Sequence, residues 1–315
     1  MTPTQTAERA GKIGVLALVG SCVIWGLSSI YYKQLAHVPP IEVLAHRTLW
    51  SLVFFLIILA LQGRLATLRA ALSRRRQVMV IGFAAIMISG NWFGFIWAVG
   101  AGHATEASLG YYIFPLVAVL MGRMVFGESL ARLQWGAIAL AAGAVGILTW
   151  GLGVAPWISF FLSMTFGLYG LVKKSLNVGS VVSVAAEVLL LMPVALAVLW
   201  MAHSGRISGG GAFGRNLHDT VMLMLSGPLT GAPLMLFSYA AQRVRMSTVG
   251  VVQYINPTLQ FLVATLLFAE PFTEWHAIAF PLIWAALALY SYANVVRDRA
   301  AKAALKAGAS STTST

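Results

Sequence analysis

The segment Ser108–Leu130, SLGYYIFPLVAVLMGRMVFGESL, returns later in the chain as Gly250–Phe272, GVVQYINPTLQFLVATLLFAEPF. Both segments are apolar and long enough to cross a bilayer. This pattern indicates an internal repeat built from membrane spans. At a spacing of 142 residues the segments share, without a gap, Tyr112 and Tyr254, Ile113 and Ile255, Pro115 and Pro257, Leu120 and Leu262, Phe126 and Phe268, and Glu128 and Glu270.

The composition is that of a membrane protein with many spans. Of the 315 residues, 59% are apolar and only 10% are charged, against about 25% charged residues in soluble domains. Apolar runs of about 20 residues recur along nearly the whole length, which predicts an all-α membrane protein. We interpret the first run as a retained helix, because no small-residue cleavage site follows it. The single cysteine, Cys22, excludes an intramolecular disulfide.

Ten spans joined by short loops are expected. The longest loop, about 201–219, is glycine-rich, which predicts a flexible segment. Residues 297–315 end in SSTTST and are expected to form a disordered cytoplasmic tail. The predicted spans are roughly 13–35, 42–61, 78–100, 107–126, 134–150, 155–173, 182–200, 220–241, 248–268 and 276–296.

The distribution of basic residues predicts the orientation of these spans. With the N-terminus placed in the cytoplasm, all but four of the 21 lysines and arginines fall in cytoplasmic segments. Basic residues concentrate on the cytoplasmic side of membrane proteins, so this split indicates that both termini are cytoplasmic. It also accounts for the net charge of +12 without a nucleic-acid partner. The four exceptions are Lys33, Arg47, Arg206 and Arg215.

The repeat extends to the remainder of each half. Residues 1–150, with helices 1–5, therefore correspond to residues 151–296, with helices 6–10. Because five is an odd number, the second half enters the membrane from the opposite side, which gives two inverted five-helix repeats. Secondary transporters with such repeats bind their substrates near the bilayer midplane. The further matches are Phe95 with Phe237 and Ala98 with Ala240 at a spacing of 142, and Gly26, Leu27, Lys33 and Leu35 with Gly167, Leu168, Lys174 and Leu176 at 141.

Several long strings resemble the RarD-like branch of the EamA/drug–metabolite transporter superfamily. They are WGLSSIYYKQL, EVLAHRTLWS, NWFGFIWAV and ASLGYYIFPL in the first half, and PWISFFLSMTFGLYGLVKKS, PLMLFSYAAQRVRMSTVGVVQYINPTLQFL and IWAALALYS in the second. The resemblance covers about residues 13–293. It implies ten helices in two inverted repeats, a bacterial inner membrane, and transport of small metabolites or drugs. Members of the branch often carry labels that refer to chloramphenicol.

Glu42 and His46 lie four residues apart near the outer end of the second span, on one face of the helix. Arg47 is adjacent. In the second half, Glu187 lies near the inner end of the seventh span, and Lys173 and Lys174 close the span before it. One hypothesis is a pair of gates or coupling sites, one at each membrane face. The alternative is a set of interfacial residues that reach the headgroups or form fixed ion pairs.

Uncharged polar residues predict a substrate cavity between the halves. Gln253, Asn256 and Gln260 form a stripe on one face of the ninth span, beside Tyr254, and Pro257 is expected to free the carbonyl group of Gln253. Such a stripe lines a cavity or joins helices. Intramembrane polar groups are costly, and so they mark pathways or buried pairs. The first half contributes Asn91, Trp92, Tyr111 and Tyr112 to the same predicted cavity.

No enzyme motif is present. The chain has neither a zinc-protease motif nor a phosphate-binding loop, and GLYGLVKKS lacks the spacing of the latter. We expect no catalytic residue, cofactor or metal. The expected partners are a small-molecule substrate and the lipid bilayer, with no nucleic acid and no obligate protein partner, in a monomer or homodimer. An intramembrane enzyme and a membrane sensor without flux remain the alternatives to a transporter.

Overall fold

The computed structural model describes residues 3–127, 130–153, 155–174, 176, 178–241, 244 and 252–311. For residues 3–11, 119, 126, 174, 241, 294 and 297–311 it describes the backbone alone. Within these ranges the chain folds into helices and contains no strand. The helices are α1 (Pro3–Gln34), α2 (Pro40–Leu61), α3 (Leu65–Ala71), α4 (Arg75–Ala101), α5 (Ala104–Phe126), α6 (Arg132–Leu152), α7 (Trp157–Lys174), α8 (Ser180–His203), α9 (Leu217–Ala241), α10 (Ile255–Leu262, continued by a π-helical turn at Val263–Leu267) and α11 (Glu274–Ser311).

Eight of the described helices are long and apolar enough to cross a membrane: α1, α2, α4, α5, α6, α8, α9 and α11. The prediction of an all-α membrane protein is therefore confirmed. Two predicted spans, 155–173 and 248–268, correspond to shorter apolar helices, Trp157–Lys173 and Ile255–Leu267. In the second of these, the described helix begins only at Ile255, so Pro257 lies in its first turn.

Two elements differ from the sequence-based expectations. The short helix α3 lies between the second and third predicted spans, with Leu68 and Ala71 buried and Arg69 exposed. This helical spacing of apolar residues in LATLRAAL is a signal that the prediction missed. The backbone of α11 continues as helix to Ser311, into the segment expected to be disordered, where AAKAALKA consists of strong helix formers.

Most of the extensive helix contacts join residues 1–150 to residues 151–296. Helix α1 packs against α9 and α10, and α7 packs against α4 and α5. Helix α2 packs against α8 and α9, and α8 also packs against α4. The pairs α5–α10 and α6–α11 complete the assembly. Each half is therefore held mainly by the other half.

Glycines permit the closest of these approaches. A β-carbon on Gly26 of α1 would lie 2.6 Å from the β-carbon of Leu259 in α10. A β-carbon on Gly167 of α7 would lie 2.9 Å from the sulfur of Met121 and 3.6 Å from a methyl group of Val117 in α5. The Leu259 β-carbon is fixed to the backbone, so α1 needs a residue without a side chain at Gly26. The flexible Met121 side chain, by contrast, could move to accommodate a β-carbon at Gly167.

Candidate functional site

Glu42 is fully buried in the first turn of α2, and its carboxylate contacts the long loop between α8 and α9. Its two oxygens accept hydrogen bonds from the backbone N–H groups of Gly211 and Ala212, each at 2.8 Å. Gly211 has φ of +79°, in the left-handed region that favours glycine. The glycines of this loop thus shape a turn that binds a carboxylate, whereas the sequence predicted only flexibility.

His46 is buried one turn further along α2. Its Nε2 atom lies 4.0 Å from a carboxylate oxygen of Glu42, and neither ring nitrogen has a hydrogen-bond partner. The ring stacks on Phe213 of the same loop, with centroids 4.9 Å apart. Phe213 therefore packs against α2 directly beside the Glu42 contact.

Arg47 is directed away from the Glu42 contact and is 7% exposed. Its Nη1 donates to the hydroxyl oxygen of Tyr32 at 2.5 Å, and the guanidinium lies 4.1 Å from the ring centroid of Trp92. The Nε atom is buried without a hydrogen-bond partner. No described carboxylate lies within ion-pair distance of this arginine. Rings and one hydroxyl group are therefore its main neighbours.

Glu187 is fully buried in α8 and is surrounded by donors from its own half of the chain. Lys173 Nζ donates to it at 2.5 Å, Ser183 Oγ at 3.0 Å and Tyr169 Oη at 3.2 Å. Lys173 also donates to Ser183. The predicted proximity of a lysine and Glu187 is therefore observed for Lys173, while the side chain of Lys174 lies outside the described part.

Asn91 joins three helices. Its amide nitrogen donates to the carbonyl oxygen of Leu162 at 2.8 Å and lies 3.1 Å from Thr165 Oγ1, both in α7. Its amide oxygen accepts a hydrogen bond from Tyr111 of α5 at 2.9 Å. Asn91 thus uses most of its hydrogen-bonding capacity to connect α4, α5 and α7.

Tyr112 does not lie with Tyr111 but on another side of α5. Successive helical residues point about 100° apart, and Tyr112 is buried against α10 and α11, where its hydroxyl group donates to Thr258 at 2.7 Å. Tyr254 packs against this same core. The prediction that both tyrosines of α5 and Tyr254 surround one space is therefore wrong.

The expected polar stripe on the ninth span is only partly present. Gln253 precedes α10 and its carbonyl oxygen accepts the N–H of Asn256 at 3.1 Å, so Pro257 frees no helical carbonyl group there. Proline is tolerated at this position, because the first-turn N–H groups have no helical partner. The Gln260 amide donates to Asn256 at 3.0 Å, and Gln260 Oε1 is buried without a partner.

Sequence reasoning assigned Trp92 and Tyr111 to the cavity but missed the other aromatic residues around Arg47. Tyr31 and Tyr32 have ring centroids 4.9 Å apart, and Phe95 lies 5.9 Å from both Tyr32 and Tyr111. Together with Trp92, these side chains form the Arg47 aromatic cluster. The adjacent tyrosines in WGLSSIYYKQL are the available signal, because apolar packing alone does not require phenol groups inside a span.

Hydrogen bonds between the halves gather at the membrane face that contains Glu42, here called the Glu42 face. Glu270, just after α10, accepts the backbone N–H groups of Ala104 at 2.8 Å and Thr105 at 2.7 Å, at the start of α5. Its repeat mate Glu128 lies outside the described residues. The other connections at this face are Tyr31 with Met222, His37 with Asp219, Ser159 with Glu106, and Glu42 with Gly211 and Ala212.

The opposite face, which contains Glu187, is joined differently. Among its side-chain hydrogen bonds between helices are those of Lys173 and Tyr169 to Glu187, that of Lys173 to Ser183, and that between Ser180 and Ser238 at 2.5 Å. All of these lie within residues 151–296. The polar connections between the halves described above thus lie at the Glu42 face and near the middle of the helices.

Comparisons with known proteins agree with the resemblance noted in the sequence. Residues 12–150 match the EamA-like transporter family. Protein RarD of Streptomyces exfoliatus is 40% identical over 96% of both chains. The uncharacterized transporter YojE of Bacillus subtilis is 39% identical over 92% of this chain and 97% of its own. Protein RarD of Escherichia coli is 36% identical over 88% of this chain and 93% of its own.

A solved crystal structure supports the fold alone. It superimposes with a TM-score of 0.57 at 17% sequence identity and covers 90% of this chain and 97% of its own. Helices of membrane-spanning length, the matched family and full-length relatives at 36–40% identity all lead to one assignment. The chain belongs to the EamA-like transporter family of multi-pass membrane proteins, in its RarD-like branch.

Proposed function

We propose that this protein is a secondary transporter, acting as an exporter or facilitator, that moves small organic metabolites or drugs across the bacterial inner membrane. Ten helices in two inverted repeats rock against each other about a central site, which opens alternately to each side. Both termini are cytoplasmic, and the Glu42 face is periplasmic. The partners are the small-molecule solute and the lipid bilayer.

The helix pairing carries this proposal. In the repeat, α1 and α7 are counterparts, as are α2 and α8, α4 and α9, α5 and α10, and α6 and α11. Exchanging counterparts converts α1–α10 into α7–α5, α1–α9 into α7–α4, and α2–α9 into α8–α4, and each of these pairs packs together. The pairs α2–α8, α5–α10 and α6–α11 convert into themselves. Such a two-fold arrangement supports inverted repeats, which favour alternating access.

The positions of the hydrogen bonds agree with this interpretation. The halves are linked at the Glu42 face by carboxylates that accept hydrogen bonds from backbone N–H groups, whereas Glu187 is bonded within its own half. Such links fit a transporter whose Glu42 face is closed. Opening the Glu42 face requires the bonds of Glu42 and Glu270 to break.

Flux into liposomes tests the function directly. Purified full-length protein is reconstituted and assayed with a panel of labelled aromatic, amphipathic and small polar solutes. We expect saturable flux of at least one solute that exceeds flux into protein-free liposomes and is reduced by Trp92→Ala, which alters the proposed central site. The same protein with Trp200→Ala, a change at an exposed tryptophan of α8, serves as the control. Absence of protein-dependent flux across the whole panel contradicts the proposal.

Reporter fusions test the orientation. Because basic residues mark cytoplasmic segments, reporters fused near Arg75 and after Arg299 are expected to be cytoplasmic, and one near Gly210 to be periplasmic. Paired alkaline phosphatase and green fluorescent protein fusions report opposite sides and control for expression. One fusion on the wrong side is enough to reject the ten-span arrangement.

A further inference from the structure

We infer that Arg47 forms an anion-binding subsite that takes the carboxylate of an organic solute with a flat, apolar or aromatic body. This inference names the substrate class of the proposed transporter, and so it rests on the proposed function. The observation behind it is a buried guanidinium group without an anion. Arg47 is more than nine-tenths buried, and its Nε atom has no partner.

The described residues satisfy little of the hydrogen-bonding capacity of this group. A guanidinium carries five N–H donors, and a hydrogen bond to a described residue is found for one nitrogen, Nη1, which donates to Tyr32. The face of the group lies on Trp92, at 4.1 Å. Contact with a ring partly offsets the loss of water around a cation but satisfies no in-plane donor. The donors of Arg47 therefore suit an acceptor that the chain does not supply.

Glu42 does not supply this acceptor. Both of its oxygens are taken by the backbone N–H groups of Gly211 and Ala212. Arg47 lies five positions after Glu42 on α2, which places the side chains about 140° apart around the helix. A charged side chain inside a membrane protein is costly unless it is paired, so the missing partner of Arg47 has a functional explanation.

Lys173 shows how the same chain treats a structural cation. That ammonium group is 2.5 Å from the carboxylate of Glu187, and it also donates to Ser183. Lys173 is therefore paired by its own half of the protein, whereas no described acidic side chain pairs with Arg47. This contrast indicates that Lys173 has a fixed structural role, whereas Arg47 is available for a ligand.

The neighbours of Arg47 specify the rest of the ligand. Trp92 packs between the apolar core at the Glu42 face and the core formed by α2, α3, α4 and α8. Tyr31, Tyr111 and Trp92 are each only partly buried, so they offer ring surfaces to a solute. Arginine binds carboxylates through two parallel hydrogen bonds, and flat rings stack on an aromatic or planar body. Together these groups fit an amphipathic carboxylate.

Paired probes that differ only in charge test the inference. Purified full-length protein in detergent is titrated with phenylacetate and phenylacetamide, and with indole-3-acetate and indole-3-acetamide, while thermal unfolding is followed. A ligand that binds the folded state raises the unfolding temperature according to its affinity. We expect each carboxylate to bind wild-type protein on the order of 10- to 100-fold more tightly than its amide, as a charge-assisted hydrogen-bonded pair predicts.

Arg47→Gln should abolish this preference and bring carboxylate affinity down to that of the amide. Arg47→Lys keeps the charge but cannot form two parallel hydrogen bonds to a carboxylate, so this variant should retain part of the preference for carboxylates over amides. The matched control is Arg206→Gln, because the Arg206 guanidinium also lies 4.1 Å from a tryptophan, Trp200, but is exposed. This control should leave the preference unchanged. If Arg47→Gln does not fold, the inference is tested by comparing the affinities of wild-type protein for each carboxylate and its amide.

Three results overturn the inference: equal affinity of wild-type protein for carboxylates and amides, no binding of either carboxylate, or a preference that survives in Arg47→Gln. The outcome is separable from that of the flux assay. Arg47-dependent carboxylate binding without flux of any solute supports the subsite and contradicts transport. Flux of neutral solutes without carboxylate binding supports transport and contradicts the subsite.

Discussion

Replacing Glu42 by glutamine is expected to expose the Glu42 face to water. The carboxylate holds two backbone N–H groups of the opposite half, whereas a glutamine has one oxygen to accept them and an amide group that repels the second. Losing roughly 1–3 kcal/mol of charge-assisted bonding that exists only in the closed state shifts the populations by about five- to 150-fold.

Cysteine labelling measures this shift. In a Cys22→Ser background, Ser226→Cys places a reporter on α9 at a position that is fully buried in the closed structure and lies beside Tyr31. A membrane-impermeant maleimide added from the Glu42 face should label this reporter faster in Glu42→Gln. Glu106→Gln is the matched control, because Glu106 also lies in the first turn of a helix at this face, but its side chain pairs locally with His103 and only its backbone carbonyl oxygen bonds the other half, which the substitution leaves in place. Unchanged labelling in Glu42→Gln would show that the buried carboxylate is purely structural.

Replacing Lys173 by methionine is expected to have the largest effect on stability. Glu187 is fully buried, and removing Lys173 leaves its carboxylate without a counter-ion, with only the hydroxyl groups of Ser183 and Tyr169 as donors. Breaking a buried ion pair in this way costs about 3 kcal/mol or more in proteins. Thermal unfolding in detergent measures this loss. Adding Glu187→Gln to Lys173→Met should restore most of the stability, because the double variant contains no buried charge at this position.

Lys33→Met provides the control in the other half. Lys33 donates weakly to the carbonyl oxygen of Val99 at 3.4 Å and lies 5.3 Å from the Phe268 ring, without a described carboxylate. Its replacement should therefore cost less than about 1 kcal/mol. If Lys173→Met and Lys33→Met unfold at the same temperature, the Lys173–Glu187 pair does not stabilise the protein.

The two glutamates thus differ in what they connect. The sequence placed them at corresponding depths from opposite faces, which suggested equivalent gates. In the structure, Glu42 binds across the halves, whereas Tyr169, Lys173 and Ser183 all bind Glu187 from within its own half. Glu187→Gln should accordingly change accessibility less than Glu42→Gln in the state described here.

Helix positions were predictable from the sequence because apolar length and basic loops leave strong signals. Buried polar residues such as Asn91 and Glu42 were also found, since polar groups within apolar runs are few. The hydrogen-bond partners of these residues were not predictable. Nearly every residue has a backbone N–H group, so the sequence does not show which one, such as that of Gly211, binds a buried carboxylate.

The prediction that Tyr112 lies in the cavity with Tyr111 failed for a different reason. The repeat aligns Tyr112 with Tyr254 correctly, and both do lie in one core, but that core is shared with α11. Sequence identity between repeats therefore indicated a common environment without indicating which side of α5 faced the solute. Likewise, α10 begins at Ile255, so Pro257 lies in its first turn. The position of the proline in the sequence did not distinguish this arrangement from a kink in the middle of a helix.

The glycine turn that holds Glu42 has a consequence for how the protein tolerates change. Its two N–H groups come from the main chain, so the contact needs no basic side chain. One added β-carbon at Gly211 would instead meet the carbonyl oxygen of Ala202 at 3.1 Å in an unfavourable left-handed backbone. In the proposed mechanism, the opening of the Glu42 face thus depends on a residue that has no side chain.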